Sequence, residues 1–217
     1  DEKVYPIFQK FIDISKKEAN RILNMLGVQF DSWKGESAYS DELDNVVNML
    51  KAKNLLQESQ GAQVVDLENY NLGTCLIQKS DGTSLYATRD IAAAIDRFNT
   101  YHFNKMIYVT AVQQKLHFQQ FFKVIELLGY DFSKDLQHVY YGMFSLPNGK
   151  IASRKGKQAV LVDLMDYSYN KALDIIKDRN YDETKKQEIA NKIAFSALKF
   201  STLKNERIKD TVFDIEN

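Results

Sequence analysis

Cysteine and proline are scarce in this sequence, and each scarcity excludes a class of structure. The single cysteine, Cys75, rules out a disulfide framework and a cysteine-based zinc site. Because it lies in an apolar, strand-like run, we interpret it as a small buried core residue. Only two prolines among 217 residues, together with 13 Phe and 12 Tyr, favour helices and an aromatic-rich core over disorder.

Long hydrophobic runs are missing as well. The sequence has no stretch of 18 apolar residues and no signal peptide, and it begins with charged residues. At this length the chain can bury a substantial core, as one large domain or two small ones. We therefore expect a soluble, cytoplasmic protein without a membrane segment.

Two common phosphate-binding motifs are also missing. The nine glycines form neither G-x-G-x-x-G nor G-x-x-x-x-G-K-[ST], so the chain is not visibly a dehydrogenase or a P-loop enzyme. The net charge is zero, but residues 146–209 carry 14 Lys and Arg against 8 Asp and Glu. This local basic excess suits a phosphate-rich partner, although a solvated helical face explains it almost as well.

The apolar spacing predicts a helix over residues 4–26 that stops at Gly27, and a second helix over 43–55 that begins after Ser40. Between them, residues 28–39 are predicted to be a strand that leaves into a loop. The other predicted elements are strands at 61–67 and 74–78, a hairpin return strand at 84–87, a helix at 90–98, a strand at 105–112, a helix at 116–128, a strand at 137–144, and amphipathic helices at 160–177 and 185–204.

Two apolar strands joined by one helix imply a right-handed parallel crossover. We therefore predict an α/β fold: a partial, doubly wound, Rossmann-like parallel sheet with an N-terminal α+β insertion and a C-terminal helical appendage. In this division, residues 1–79 are the insertion-like part, residues 80–149 are the second half of a nucleotide-binding fold, and residues 150–217 are a basic loop with a helical stem.

The basic loop at residues 148–156 reads N-G-K-I-A-S-R-K-G and follows a predicted apolar strand. Ligands of open α/β sheets bind just beyond the carboxyl ends of the strands. Glycines allow a ligand to approach the backbone closely, and cations can meet charge that develops on leaving phosphate oxygens. The alternative is an ordinary solvated surface loop.

Four segments occur in a defined order along the chain. They are G-E-S at 35–37, D-G-T-S-L-Y-A-T-R-D-I at 81–91, Y-V-T-A-V-Q-Q-K-L-H-F at 108–118, and H-V-Y-Y-G-M at 138–143 continuing into K-I-A-S-R-K-G at 150–156. This ordered set resembles the second half of the catalytic domain of arginyl-tRNA synthetases, a class I aminoacyl-tRNA synthetase family. The resemblance extends over the whole chain and is densest across residues 80–160.

The resemblance implies that Tyr86, Asp90 and Gln114 contact the guanidinium end of arginine, and that Glu36 adds a second carboxylate. A guanidinium presents five N–H donors in a rigid plane, so these residue types suit it. Tyr86 and Asp90 are four residues apart and share one face if a helix begins near Tyr86. The alternatives are a core aromatic for Tyr86 and, for Asp90, a charge favoured by a helix N-terminus.

The resemblance also implies an ATP site. His138, Gly142 and Met143 would lie beside the adenosine, with Gly142 allowing the backbone to approach the base. We interpret His117 as a packing or supporting residue, with a direct ligand contact as the alternative. Arg89 is interpreted as a structural ion-pairing residue.

The basic loop corresponds to the class I K-M-S-K-S loop, which closes over ATP and stabilises the leaving pyrophosphate. Its five positions here run from Lys150 to Arg154, and Ser153 replaces the usual lysine. The resemblance makes Lys150, Ser153 and Lys155 candidate ATP contacts. By charge and proximity, Arg154 and Lys155 are alternative candidates for the phosphate cation, so the candidate catalytic cations are Lys150, Arg154 and Lys155.

One element of the family is missing from the sequence. The three histidines form no H-x-G-H motif, which in class I synthetases binds ATP phosphates. We therefore expect an internal fragment of a longer synthetase, without the H-x-G-H half and without the anticodon-binding domain.

As a whole, the resemblance implies that the parent protein is an arginine–tRNA ligase. It would activate L-arginine with ATP to arginyl-adenylate and transfer the arginyl group to the 3′ end of tRNA(Arg). ATP would be a substrate bound with Mg²⁺, without a tightly held cofactor or a protein metal site, and we expect a monomer. The isolated chain is expected to be inactive. The alternatives are a non-catalytic, synthetase-derived module that binds arginine or docks a partner, and a class I synthetase of another specificity, such as the cysteine or glutamate enzyme.

Overall fold

The computed structural model describes residues 4–83, 85–146, 149–150 and 161–212. The described residues form two compact units. The central unit takes its residues from Lys34–Met143 and Arg207–Asp210. The helical unit takes its residues from Asp1–Trp33, Phe144–Glu206 and Thr211–Asn217.

The central unit contains a β–α–β crossover. Strand β4 (Met106–Tyr108) pairs in parallel with β5 (Leu136–His138), and helix α4 (Lys115–Leu128) lies between them in sequence. A further parallel bridge joins Ala111 to Tyr141 beyond the strand ends. This arrangement confirms the predicted parallel sheet. Gly129, with φ +94°, ends α4 where the glycine stop was predicted.

An antiparallel sheet forms the first part of this unit. Its strands are β1 (Leu56–Ser59), β2 (Ala62–Asp66) and β3 (Thr74–Gln78), in that order. The β1–β2 turn at Gln60 and Gly61 has φ values of +52° and +78°, as hairpin turns with two left-handed residues require. Helix α2 (Leu43–Ala52) precedes the sheet. Strand β1, which follows this helix, was not predicted from the sequence.

Helix α3 (Tyr86–Tyr101) connects this sheet to the crossover. The predicted return strand at 84–87 is therefore wrong over Tyr86 and Ala87, which form the first turn of α3. The buried hydroxyl of Thr88 donates a 2.6 Å hydrogen bond to the carbonyl of Ile77, which anchors this turn to β3. The predicted strand within 28–39 is also wrong, because residues 28–35 form no strand and Glu36–Glu42 forms a 3₁₀ helix.

One hydrophobic core supports the central unit. Helix α4 contributes a stripe with helical spacing that includes the fully buried Phe121, Val124 and Ile125. The facing side chains come from α2, the antiparallel sheet and α3, and include Leu50, Leu67, Cys75, Ile77 and Ile91. This core holds the starts of α3 and α4 in place.

The helical unit contains α1 (Tyr5–Met25), α5 (Leu161–Ile176) and α6 (Glu183–Leu203), as the amphipathic patterns predicted. Helices α5 and α6 pack through Ala172, Ile176 and Ala190. Strand β6 (Phe144–Leu146) pairs with β7 (Gly149–Lys150) and β8 (Thr211–Val212). Among the described residues, no helix is both long and apolar enough to span a membrane.

Candidate functional site

The first turns of α3 carry two of the predicted arginine contacts. Tyr86 is the first residue of the helix and Asp90 the fifth, so both side chains lie on one face, as predicted. The Tyr86 side chain is 66% exposed, which does not fit a core aromatic. Asp90 is half-buried. This end of α3 thus presents an aromatic ring and a carboxylate next to each other.

Asp90 is held by a residue of the neighbouring helix. The Nε2 atom of His117, on α4, lies 2.6 Å from Oδ2 of Asp90. The His117 ring packs against Phe118 and Phe121, with ring centroids 5.4 and 5.5 Å apart. The contact joins the start of α3 to the start of α4. Spacing along the sequence gave no sign of this partnership.

Gln114 lies at the same end of α4. It ends the 3₁₀ turn Val112–Gln114 and occupies the N-cap position of α4, with an exposed side chain. It precedes His117 by three residues, which is less than one helical turn. The Asp90–His117 contact therefore joins the starts of the two helices on which these predicted arginine contacts lie.

Glu36 begins the 3₁₀ helix Glu36–Glu42 and is exposed. Just before this helix, Lys34 forms an ion pair with α3, with its Nζ atom 2.7 Å from Oδ2 of Asp96. Tyr39 is buried, with Lys34 Nζ 4.8 Å and the Arg97 guanidinium 5.9 Å from its ring centroid. Because seven residues make nearly two turns, Arg97 and Asp90 share a face of α3.

His138, at the end of β5, is packed into the crossover. Its Nε2 atom lies 2.8 Å from Thr110 Oγ1, and its ring stacks on Phe118 with centroids 4.1 Å apart. The Nδ1 atom is buried and has no hydrogen-bond partner in the described part of the chain. Burial lowers the pKa of His138, and the hydrogen bond with Thr110 offsets this lowering only in part. The neutral ring is therefore favoured. One ring nitrogen of this predicted adenosine contact thus has no hydrogen-bond partner among the described residues.

Gly142 and Met143 are bound to the segment Arg207–Asp210. The Gly142 amide donates to the carbonyl of Arg207 at 2.9 Å, and the Met143 amide donates to Asp210 Oδ1 at 2.7 Å. The Arg207 guanidinium also donates to the carbonyl of Tyr140. A Cβ atom at Gly142 would overlap the backbone of Lys209. The protein's own backbone therefore fills the side of Gly142 where a side chain would lie. The predicted contact with adenine would have to use the opposite side of this residue.

The predicted phosphate-binding loop falls largely outside the described residues. Only the backbone of Lys150 is described, as part of β7. Ser153, Arg154 and Lys155 lie outside the described ranges, so their roles stay predictions.

Comparison with known proteins assigns this architecture to a class and then to a family. Residues 1–215 match the family model described as the catalytic domain of class I (R) tRNA synthetases. The arginine–tRNA ligase of Halothermothrix orenii is 47% identical over 213 residues, covering 98% of this chain and 38% of the relative. That of Clostridioides difficile is 47% identical over 216 residues, covering 100% and 38%.

Solved structures show the same likeness. The arginyl-tRNA synthetase of Plasmodium falciparum superposes with a TM-score of 0.86 at 27% identity, over all of this chain and 37% of that one. The Thermus thermophilus enzyme, at 19% identity and a TM-score of 0.73, supports the fold alone. The fold is therefore that of a class I aminoacyl-tRNA synthetase catalytic domain. Within that class, the chain belongs to the arginyl-tRNA synthetase family, and it spans about two fifths of the length of its curated relatives.

Proposed function

We propose that this chain is part of an arginine–tRNA ligase and carries the residues that recognise the side chain of arginine. The observation that carries the proposal is the half-buried Asp90 carboxylate, held by His117 at 2.6 Å and lying about one helical turn after the exposed Tyr86. Together with the family match over residues 1–215, this arrangement supports arginine over the other class I substrates.

The proposed reaction has two steps. In the first, a carboxylate oxygen of arginine attacks the α-phosphorus of MgATP, forming arginyl-adenylate and releasing pyrophosphate. In the second, a 3′-terminal hydroxyl of tRNA(Arg) attacks the activated carbonyl carbon and AMP leaves. The protein forms no covalent bond to the substrates. Its contribution is to orient them and to stabilise developing charge.

Asp90 would accept hydrogen bonds from the guanidinium, while Tyr86 and Gln114 would complete its surroundings and Glu36 would provide a second carboxylate. Discrimination against lysine follows from this geometry. An ammonium cannot satisfy acceptors arranged for a planar fork, so it leaves some of them unpaired.

The nucleotide would be bound by the other predicted residues. His138, Gly142 and Met143 are proposed to lie beside the adenosine. Lys150, Ser153, Arg154 and Lys155 are proposed to supply the leaving-group loop, with Lys150, Arg154 and Lys155 as the cations that meet the pyrophosphate. We further propose a soluble, cytoplasmic, monomeric enzyme with ATP, Mg²⁺, L-arginine and tRNA(Arg) as its ligands.

The first alternative, a non-catalytic module that binds arginine, makes the same contacts without chemistry. ATP–pyrophosphate exchange by the longer natural protein that contains this chain distinguishes the two. A ligase catalyses this exchange, whereas a non-catalytic binding module does not. For the isolated 217-residue chain we expect weak arginine binding and no aminoacylation. Robust exchange by this chain alone would contradict that expectation.

The test of the proposed site is a titration of the purified chain with arginine and with lysine, followed by NMR. We expect arginine to shift the amide signals around Asp90 at concentrations where lysine does not. Replacing Asp90 by asparagine removes the charge but keeps the shape, and charge-assisted hydrogen bonds are worth about 1.5–3 kcal/mol. The arginine affinity should therefore fall at least tenfold. An unchanged affinity would exclude Asp90 as the recognition residue.

A further inference from the structure

The contact between Asp90 and His117 joins two helices at positions 27 residues apart in sequence. The two side chains are 31% and 27% exposed, so the pair is partly shielded from water. Within the described part of the chain, no other side chain forms a hydrogen bond with Asp90. The carboxylate is therefore fixed through Oδ2, and Oδ1 stays available.

The chemistry of the two groups fixes the direction of this hydrogen bond. An ionised carboxylate can only accept, so the proton must be on Nε2 of His117. The ring cannot easily turn away, because it packs edge-on against Phe118 and is tilted against Phe121. Two aromatic neighbours thus hold the ring, and the ring holds the carboxylate.

We propose that His117 is a positioning residue for arginine recognition, which fixes the plane of the Asp90 carboxylate by donating from Nε2 to Oδ2. This inference rests on the proposed function, because it takes Asp90 as the guanidinium acceptor. Oδ1 and the second lone pair of Oδ2 are then left for the two parallel N–H donors of a guanidinium edge. A bidentate pair requires coplanar partners, so a carboxylate free to rotate would bind arginine less well.

His117 has a role in binding that can be separated from a role in folding. Partly exposed ion pairs contribute little to stability, so loss of the hydrogen bond alone should leave the fold intact. Loss of the ring, by contrast, disturbs the contacts with Phe118 and Phe121. Two substitutions divide these effects: His117→Phe keeps a ring and removes the donor, whereas His117→Gln removes the ring and keeps an N–H donor of similar reach.

The experiment measures arginine dissociation constants by NMR titration of this chain and its two variants, with thermal melts as a check on folding. We expect His117→Phe to raise the dissociation constant about tenfold, as the loss of one charge-assisted hydrogen bond implies. His117→Gln should recover most of the affinity. In the unsubstituted chain, ¹⁵N spectra of the His117 ring should show a proton on Nε2, with signals that move in the Asp90→Asn variant.

The double variant Asp90→Asn with His117→Phe should bind arginine no more weakly than Asp90→Asn alone, because the two residues act through one contact. Additive losses would overturn the inference. So would normal binding by His117→Phe with poor binding by His117→Gln, which would mean that only the ring matters, and so would a ring protonated only at Nδ1.

Failure of the proposed function looks different. An unsubstituted chain that does not respond to arginine, or an Asp90→Asn variant that binds normally, overturns the arginine site and this inference together. A loss in Asp90→Asn with none in His117→Phe overturns the role of His117 alone.

Discussion

Replacing Gly142 by alanine should destabilise the central unit through a single steric conflict. A Cβ atom at this position would lie 2.7 Å from the amide nitrogen of Asp210 and still closer to the carbonyl group of Lys209. Both neighbours are backbone atoms, so no flexible side chain can move aside. Gly142 is not among the glycines with positive φ, so the conflict is one of space and not of backbone conformation.

The size of the effect follows from the distances. Ordinary contact with a Cβ atom begins near 3.4 Å, so the 207–210 segment must move by at least roughly 0.7 Å. That movement would stretch the 2.9 Å bond from Gly142 N to Arg207 O beyond hydrogen-bond range. Overpacking costs about 1–3 kcal/mol, and one lost hydrogen bond costs about 1 kcal/mol. We therefore expect a loss of at least about 2 kcal/mol in the free energy of unfolding.

Thermal and urea unfolding, followed by circular dichroism, measure this loss. At this chain length, about 2 kcal/mol corresponds to a fall in melting temperature of roughly 4–8 °C. Gly35→Ala is the matched control, because among the described residues no atom outside its chain neighbours lies within 4 Å of its Cβ position, and its φ is −86°. Alanine there should be neutral or stabilising by up to about 1 kcal/mol. If the two variants melt within about 1 °C of each other, the predicted steric conflict between a Cβ atom at position 142 and the backbone of Lys209 and Asp210 is refuted.

Three further outcomes are expected. Cys75 is 1% exposed, and burial raises its pKa to about 12. A thiol reagent should therefore modify it only as fast as the protein unfolds, and fast modification of the native chain would contradict its burial. Burial lowers the pKa of His138, so the unfolded state takes up a proton at a higher pH than the folded state does. The stability that is present above pH 6.5 should therefore be lost as the pH falls. His138→Gln should reduce this dependence of the melting temperature on pH in melts between pH 5 and 8. Glu188 accepts hydrogen bonds from Lys185 and Lys192, which lower its pKa to about 2, yet its side chain is exposed. Glu188→Gln should therefore melt at the same temperature as the unsubstituted chain at pH 7, and a clear fall in melting temperature would contradict the weakness of surface ion pairs.

Local signals in the sequence were sufficient for much of the fold. Helix α4 has a strong apolar period and a glycine stop, and the structure ends it at Leu128 before Gly129. The predicted strand segments on either side of it, residues 105–112 and 137–144, are rich in β-branched and aromatic residues, and strands within or next to them pair in parallel. The handedness and pairing rules then leave little choice of topology.

The start of α3 could not be predicted in this way. The turn at residues 80–83 followed by alternating apolar residues is typical of a hairpin, and Leu85 provides no side-chain cap to mark a helix. What decides the conformation is tertiary: Ala87 is buried, and the buried Thr88 hydroxyl bonds the carbonyl of Ile77. Spacing could place Tyr86 and Asp90 on one face only after the helix start was assumed.

The candidate site shows the same division between local and distant information. Sequence patterns named Asp90 and His117 separately, but the pair forms between residues on different helices. The neighbour that excludes a side chain at Gly142 is Lys209, which lies 67 residues away. Contacts of this kind depend on how elements pack, and no local period contains them.

The position of Asp90 within α3 bears on what the carboxylate is for. A negative charge is favoured near a helix N-terminus, but this effect falls off within the first turn. Asp90 is the fifth residue of α3, whose first turn contains no acidic residue. The helix dipole therefore gives little reason for a carboxylate here. Nor does stability, since a partly exposed pair with His117 contributes little. Among the described residues, the carboxylate forms its one side-chain hydrogen bond through Oδ2, which is what the proposed role as acceptor for a guanidinium requires.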